Sequence, residues 1–256
     1  MKIVAIGGGN NSNIRKDGTP QYYEHKKIDQ EIINLSGKSN PHILFVPHAG
    51  DSLYEFGSLN KLLHTYRDMY GCEVNLLSFV ALTSRERTDE LLGWSDVIYV
   101  GGGNTNQLMK LWKQYGLDKK LVEAAKEDKV LCGTSAGASC WFKEGCSDYL
   151  QMESFDENAP FAMVNGLGLV DMSFNPHGNN EKRMQAIKDL LEDTDKVGLS
   201  VTDNVAFEID NDKYRLIYGN SFENEEQFAD LCFWKDGEYY SYPLNEVGLV
   251  RNLCRR

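Results

Sequence analysis

The chain has no excess of positive charge to offer to an anionic partner. Its 27 Lys and Arg residues stand against 38 Asp and Glu residues, which gives a formal net charge of -11 over 256 residues. A nucleic acid backbone is bound by clustered Lys and Arg side chains that displace counterions. An anionic membrane surface likewise attracts a basic face. We therefore expect neither a nucleic acid nor a membrane among the partners of this protein.

Long apolar runs and paired cysteines are also missing. No segment approaches the roughly 18 apolar residues of a membrane-spanning helix, and the apolar run at the amino terminus is too short for a signal peptide. The six cysteines contain no Cys-x-x-Cys pair, so nothing predicts a zinc site. A chain of this length needs no disulfide framework. We expect a cytoplasmic protein with reduced thiols and with no metal or other cofactor.

No repeat, low-complexity tract or linker divides the chain, which predicts one domain over residues 1–256. In the first half, short apolar segments alternate with amphipathic ones, a pattern typical of a parallel sheet with crossover helices. The predicted strands are 2–6, 43–46, 73–77, 97–100 and 130–132. The predicted helices are 24–35, 54–70, 85–92, 105–115 and 118–127. Gly116 is predicted to end the fourth helix and Asp118 to cap the fifth.

The second half predicts a change towards antiparallel pairing. Segments 172–174 and 198–201 are expected to be further sheet strands, separated by an amphipathic helix over 181–191. Strands 205–209, 214–218, 231–235 and 238–242 follow, with the turn Asp236-Gly237 in the last pair. The expected fold class is α/β, with a mostly parallel central sheet flanked by helices and with carboxy-terminal antiparallel hairpins. The aromatic residues of the last hairpin predict packing or a homodimer contact.

The segment Gly133-Thr134-Ser135-Ala136-Gly137 follows the apolar strand 130–132 and matches Gly-x-Ser-x-Gly. A sharp strand-to-helix turn of this kind exposes the hydroxyl of an otherwise unreactive serine. The two glycines leave room for a closely packed turn, and the N–H of Ala136 can face a developing oxyanion. The motif predicts a hydrolase with Ser135 as its nucleophile.

Four strand ends are rich in glycine and small polar residues, which is where open α/β sheets bind ligands. They are Gly7-Gly8-Gly9-Asn10, Pro47-His48-Ala49-Gly50-Asp51, Gly101-Gly102-Gly103-Asn104-Thr105 and the Ser135 turn. We expect the backbone to approach the substrate closely there, with Asn104 among the substrate contacts. A dinucleotide loop at Gly7 is disfavoured because the third glycine of that motif and the acidic residue after the next strand are missing.

A nucleophilic serine needs a base, and histidine is the usual one. Of the five histidines, His25 and His64 fall in predicted helices and His42 precedes its strand. His48 and His177 each follow a strand. We favour His177, in a loop fixed by proline and glycine, and keep His48 as the alternative.

The carboxylate that orients the base should also follow a strand. Asp203 comes directly after the predicted strand 198–201 and is the candidate, although an aspartate there is also ordinary turn chemistry. The resulting order is Ser135, His177, Asp203. In the α/β-hydrolase fold the acid precedes the histidine, so the sequence does not predict that fold.

Three segments of the chain occur together: Val100-Gly101-Gly102-Gly103-Asn104-Thr105-Asn106-Gln107-Leu108, the Ser135 turn with Ala138, and Asn175-Pro176-His177. In combination they resemble the peptidase E (aspartyl dipeptidase) and cyanophycinase family. The resemblance runs from Met1 to about Tyr218. It implies a sheet related to that of the class I glutamine amidotransferases.

The same resemblance implies roles for individual residues. Ser135 would be the nucleophile, His177 the general base, and the N–H groups of Gly103 and Ala136 the oxyanion hole. The third residue is often glutamate in this family. Here Asp203 takes that place with a side chain that is one methylene shorter.

Two substrate contacts are implied as well. Aspartyl dipeptidases bind the free α-amino group through a carboxylate downstream of the nucleophile, and Asp148 is the nearest match, although it lies closer to the serine. Arg183 is the counterpart of the arginine in their Gly-Glu-Thr-Arg segment and would pair with a substrate carboxylate. The alternative is a helix-surface arginine paired with a neighbouring glutamate.

The sequence therefore predicts a serine peptidase that cleaves a small peptide or isopeptide bond, with an Asp-Xaa dipeptide as one candidate substrate. An amidase or esterase on the same scaffold is one alternative. A non-catalytic protein that binds a small molecule is the other, for the case that Asp203 is too short to complete the triad.

Overall fold

The computed structural model describes residues 1–9, 23–220 and 226–254. Asn10, which we expected at the end of the first strand, lies outside these residues. Within them the strands are β1 (Lys2–Ile6), β2 (His42–Val46), β3 (Glu73–Leu76), β4 (Val97–Val100), β5 (Val130–Thr134), β6 (Phe142–Ser147), β7 (Ala162–Asn165), β8 (Val170–Pro176), β9 (Gly198–Val201), β10 (Val205–Asp210), β11 (Lys213–Tyr218), β12 (Ala229–Lys235), β13 (Glu238–Pro243) and β14 (Val247–Leu249).

The helices that connect these strands follow the predicted alternation in the first half of the chain. They are α1 (Lys26–Leu35), α2 (Ser52–Leu62), α3 (Phe79–Leu82), α4 (Arg85–Trp94), α5 (Thr105–Tyr115), α6 (Leu117–Ala124), α7 (Ala136–Ser139), α8 (Tyr149–Ser154) and α9 (Glu181–Leu191). A π-helical segment, Leu63–Met69, continues α2, and a 3-10 turn, Val250–Asn252, follows β14. No helix among the described residues combines the length and the apolar character that crossing a bilayer requires.

The larger sheet has eight strands in the order β14-β11-β10-β1-β5-β4-β2-β3. Strands β1 to β5 run parallel to one another, and β10, β11 and β14 pair antiparallel at one side. The prediction of a mostly parallel sheet flanked by helices is therefore confirmed. Strand β1 lies between β5 and β10, so its carboxyl end meets the segments on either side of it.

A second sheet of six strands has the order β13-β12-β9-β8-β6-β7. We predicted segments 172–174 and 198–201 as further sheet strands, and they belong to β8 and β9 of this second sheet. The sequence did not predict a separate sheet, because β6 was not recognised as a strand. Its sequence includes Lys143, Glu144 and Gly145, and buried Glu144 finds its partners only in the fold: the Ser173 hydroxyl and the Lys196 ammonium, both at 2.7 Å.

The two sheets pack on a shared apolar core with the short helix α7 between them. Side chains of both sheets belong to the same buried cluster, which includes Ile3, Leu131, Phe174 and Leu199. All four residues of α7 are small and buried, so the helix fits between the layers. This packing joins the carboxyl ends of β5, β8 and β9 across the two sheets. The single domain over 1–256 stays a prediction.

Several predicted helix boundaries differ from those of the structure. The helix predicted over 54–70 begins at Ser52 and becomes π-helical at Leu63. Asp118 does not cap the next predicted helix, because α6 already begins at Leu117. Gly116 ends α5 as predicted, and its left-handed conformation (φ 72°) lets the chain enter a new helix at once.

Candidate active site

The Ser135 turn joins β5 directly to α7. Ser135 has φ 54° and ψ -113°, a backbone conformation that residues other than glycine rarely adopt. The residue remains partly exposed. A Cβ at Gly133 would lie 2.4 Å from the carbonyl oxygen of Gly137, and a Cβ at Gly137 would lie 2.2 Å from that of Val100. Only glycine fits at both positions, so the flanking glycines hold the serine at the tip of the turn.

His177 and Asp203 stand in a hydrogen-bonded line with Ser135. The Nε2 atom of His177 is 2.9 Å from the Ser135 hydroxyl oxygen, and its Nδ1 is 2.6 Å from Oδ1 of Asp203. A carboxylate only accepts, so Nδ1 carries the proton, and the lone pair of Nε2 faces the serine hydroxyl. The arrangement can take a proton from Ser135 and return it to a leaving group.

The Asp203 carboxylate is held from a second side by Asn179. The Asn179 amide donates to Oδ2 of Asp203 at 3.3 Å, and the Asp203 N–H donates to Oδ1 of Asn179 at 3.3 Å. Burial alone would raise the pKa of Asp203, but the hydrogen bonds from His177 and Asn179 and the electrostatic interaction with the imidazole outweigh it and lower the pKa below its usual value. Asn179 was not among the predicted residues, and its only sequence signal is its position two residues after His177.

The Gly101–Thr105 loop lies against the Ser135 turn. A Cβ at Gly102 would lie 3.4 Å from that of Ser135. Gly103 has φ 134°, and a Cβ there would approach the carbonyl oxygen of Ala49 to 2.3 Å. The same carbonyl accepts from the Asn104 N–H at 2.8 Å, which ties the loop to the segment after β2. Gly102 is therefore next to Ser135, and Gly103, the predicted oxyanion donor, follows it in the same loop.

The side chain of Asn104 has partners within the protein. Its oxygen accepts from the Gln107 N–H at 2.9 Å and caps α5, and its amide donates to Glu153 at 3.3 Å. The residue is 8% exposed. The structure thus places Asn104 beside the serine turn, with its side chain engaged in holding the loop and α8 together.

Asp148 and Arg183 form an ion pair with each other. Asp148 follows β6 and Arg183 lies in the first turn of α9, which follows the neighbouring parallel strand β8. A guanidinium nitrogen is 2.7 Å from Oδ2 of Asp148 and another donates to the Cys146 carbonyl at 3.3 Å, while the group lies 5.2 Å from the Phe161 ring centre. The Arg183 side chain is 7% exposed and that of Asp148 is 26% exposed. Arg183 is therefore not a helix-surface arginine paired with a neighbouring glutamate, which was the alternative prediction.

The structure brings His177, and not His48, to the serine. His48 is fully buried, and its Nδ1 accepts from the Trp112 indole N–H at 3.1 Å. Burial lowers the pKa of His48 to about 4, so the ring is a neutral part of the core. His25, which falls in a predicted helix, is 1% exposed and precedes α1.

The glycine turn after β1, predicted as one of the four ligand-binding strand ends, also contacts the three residues of the hydrogen-bonded line. The Ser135 N–H donates to the Ile6 carbonyl at 3.0 Å, and the His177 N–H donates to the Gly7 carbonyl at 3.1 Å. The Asn204 N–H, next to Asp203, donates to the Gly8 carbonyl at 3.1 Å. The backbone at Ser135, at His177 and next to Asp203 is thus tied to the end of one central strand. Three consecutive glycines at that strand end were the available signal.

Comparison with known proteins agrees with this arrangement. The sequence pattern of peptidase family S51 matches residues 16–217. An uncharacterized peptidase, YgaJ of Bacillus subtilis, is 35% identical over 181 residues, which cover 71% of this chain and 70% of that protein. Peptidase E of Salmonella arizonae is 34% identical over 112 residues, covering 40% of this chain and 46% of that protein.

Two solved structures share the fold. A peptidase from an acI-B1 actinobacterium superposes with a TM-score of 0.68 at 17% identity, covering 97% of this chain and 96% of that one. A putative peptidase E from Listeria monocytogenes has a TM-score of 0.59 at 20% identity, covering 85% and 98%. At these identities the likeness concerns the fold alone. The sequence match over most of the chain identifies the family: this protein belongs to peptidase family S51 and is a serine-type peptidase.

Proposed function

We propose that this peptidase cleaves a small peptide or isopeptide bond through a Ser135–His177–Asp203 triad and an acyl-enzyme. The observation that carries the proposal is the continuous line of hydrogen bonds, 2.9 Å from Ser135 to His177 and 2.6 Å from His177 to Asp203. The lowered pKa of Asp203 supports a carboxylate at neutral pH, which the role of orienting and stabilising the imidazole requires.

The proposed reaction begins when the Ser135 oxygen attacks the scissile carbonyl carbon and its proton passes to Nε2 of His177. The tetrahedral oxyanion accepts hydrogen bonds from the N–H groups of Gly103 and Ala136. The C–N bond then breaks, and His177 gives its proton to the leaving amine. A water molecule, deprotonated by His177, attacks the acyl-enzyme and releases the acid with Ser135 restored.

For the substrate we propose a short peptide, with Asp-Xaa dipeptides as the first to test. The support is the resemblance of the three motifs to aspartyl dipeptidases and the relatives named peptidase E. Asp148, with a partly exposed side chain, is the proposed partner of the free α-amino group. Since the Arg183 guanidinium already has protein partners, we assign it to holding Asp148 rather than to binding a substrate carboxylate. The side chain of Asn104 already has protein partners, so we propose that Asn104 contributes to substrate binding only through the position of its loop.

The test is a panel of Asp-Xaa dipeptides with free and blocked amino groups, together with amide and ester analogues. Wild type, Ser135→Ala and Asp148→Asn are compared, with Asp212→Asn as the control. Asp212 also pairs with an arginine, Arg251, but it lies in the β10–β11 turn, away from the serine. We expect Ser135→Ala to lower kcat by about 10⁴- to 10⁶-fold without loss of fold.

Asp148→Asn should lower kcat/KM for free-amino substrates about 10- to 100-fold, the value of one charge-assisted contact, and leave blocked ones unchanged. Full activity of Ser135→Ala would overturn the triad. Equal losses on free and blocked substrates would remove Asp148 from amine recognition. Cleavage of amides or esters alone would assign the enzyme to the class of amidases or esterases instead.

The location in the cytoplasm stays a prediction.

A further inference from the structure

We propose that His25 is a positioning residue for the triad, acting through the glycine turn Gly7-Gly8-Gly9. The inference rests on the proposed function, since it concerns how His177 and Asp203 are held in place. His25 stands just before α1, and its side chain makes no capping hydrogen bond to that helix. Instead its Nε2 lies 2.9 Å from the Gly8 carbonyl oxygen.

The protonation of His25 follows from its partner. A carbonyl oxygen only accepts, so Nε2 must carry the hydrogen. The ring is 1% exposed, and burial lowers its pKa to about 4, so the imidazole is neutral at physiological pH. His25 therefore serves as a fixed N–H donor. It does not titrate in the range in which serine peptidases work.

Gly8 connects this donor to the triad. Its carbonyl accepts from both His25 and the N–H of Asn204, the residue after Asp203, and so uses both lone pairs. The position that a side chain would take at Gly8 is occupied by the His177–Asp203 pair. A Cβ built on Gly8 would stand 1.9 Å from Oδ1 of Asp203 and 2.4 Å from Nδ1 of His177.

The space next to Gly8 is thus filled by the His177–Asp203 pair. A displacement of Gly8 towards the pair would disturb the hydrogen bond between His177 and Asp203. Gly9 is packed just as closely: a Cβ there would lie 2.7 Å from Nε2 of His25 and 2.0 Å from Oδ1 of Asn204. His25 therefore holds the glycine turn on one side through its hydrogen bond to Gly8. This turn holds His177 and Asp203 on its other side.

The experiment compares His25→Leu, which removes the donor at similar volume, with His25→Gln, whose amide N–H stands at a similar reach. His64→Leu, on the π-helical segment, is the control for the replacement of a histidine by leucine away from Gly8. The readouts are kcat and KM on the preferred substrate, and the low-field proton resonance of the His177–Asp203 hydrogen bond. Ser135→Ala is measured in parallel.

We expect His25→Leu to lower kcat about 10- to 100-fold with KM within about twofold, because small displacements of catalytic groups cost that much. The low-field resonance should shift in His25→Leu, and His25→Gln should restore both the resonance and most of kcat. If His25→Leu does not fold, His25→Asn, too short to reach Gly8, replaces it.

Three results would overturn the inference. They are a kcat for His25→Leu within twofold of wild type, equal losses in the Leu and Gln variants, or the unfolding of both non-donor variants, which would make the role structural. These results can be told apart from a failure of the proposed function. The proposed function fails if Ser135→Ala is active, whatever the variants at position 25 do.

Discussion

The geometry of the candidate site depends on the backbone conformation of Ser135 and on the absence of a side chain at Gly8. Ser135 adopts a positive φ, a conformation that costs about 1–3 kcal/mol and persists only because its surroundings enforce it. Gly8 has no side chain, and the space that a methyl group would fill is occupied by the His177–Asp203 hydrogen bond. At both residues we therefore expect a small change of the side chain to affect catalysis more than folding.

Gly8→Ala should inactivate the enzyme without unfolding it. The new methyl group would meet Asp203 and His177 at distances no real contact allows, so the hydrogen bond between them must break or shift. Loss of the orienting carboxylate and small misplacements together predict a fall in kcat of about 10²- to 10⁴-fold. Steady-state kinetics and circular dichroism are the measurements.

The matched control for this variant is Gly93→Ala, in α4. A Cβ at Gly93 meets nothing within 4 Å, and alanine is the better helix former. We expect unchanged kcat and a slightly higher melting temperature. A Gly8→Ala enzyme as active as Gly93→Ala would show that the backbone yields there and that the close contact has no catalytic consequence.

Among the elements, α1 and the π-helical segment meet at a buried carboxylate. Asp29 of α1 is 0% exposed and accepts one hydrogen bond on each oxygen, from the Tyr23 and Tyr66 hydroxyls, both at 2.6 Å. Tyr66 lies within Leu63–Met69, where a regular α-helix was predicted. The π-helical turn is a local irregularity of the kind that tertiary contacts, and not helix propensity, select.

Asp29 makes the stability of this contact dependent on pH. Burial raises the pKa of Asp29 from 3.8 to about 7, against the two tyrosine hydrogen bonds that lower it. Because the folded-state pKa is raised, the stabilisation is complete below about pH 4 and is lost as pH rises through about 7. Relative to Asp29→Asn, the wild type should lose about 2–3 kcal/mol between pH 5 and pH 8.

Urea unfolding of both proteins at the two pH values measures this difference. His25 and His48, with lowered pKa values, contribute the opposite slope between about pH 4 and 6.5, but they are common to both proteins and cancel. Asp236→Asn, in an exposed turn, controls for the loss of one charge. A constant difference between wild type and Asp29→Asn at all pH values would mean that Asp29 keeps an ordinary pKa.

For the whole molecule, the edge of the second sheet is the place where we predict a homodimer contact. Strand β13 ends the strand order, and its Tyr240 and Tyr242 are 41% and 45% exposed while they pack on Phe233. Multi-angle light scattering should give twice the 29.0 kDa of one chain. Replacing both tyrosines by glutamate should return the monomer with kcat unchanged. A wild-type mass of one chain would end this prediction.

The sequence by itself determined the parallel strands, the strand ends that carry the site, and the serine turn. These features are local, because apolar runs bounded by glycine and proline fix where strands end, and the Gly-x-Ser-x-Gly spacing fixes a turn that larger residues would not permit. The candidates Ser135, His177 and Asp203 followed from position alone, since the carboxyl ends of parallel strands share one edge.

Only the tertiary structure decided which of these residues meet. The contact of Gly8 with the His177–Asp203 pair depends on β1 lying between β5 and β10, and the pairing of Asp148 with Arg183 depends on β6 lying beside β8. The second sheet escaped prediction because Glu144, in its β6 strand, is buried beside partners far along the chain. A sequence pattern records what each segment prefers, whereas the order of strands in a sheet is set by packing between segments.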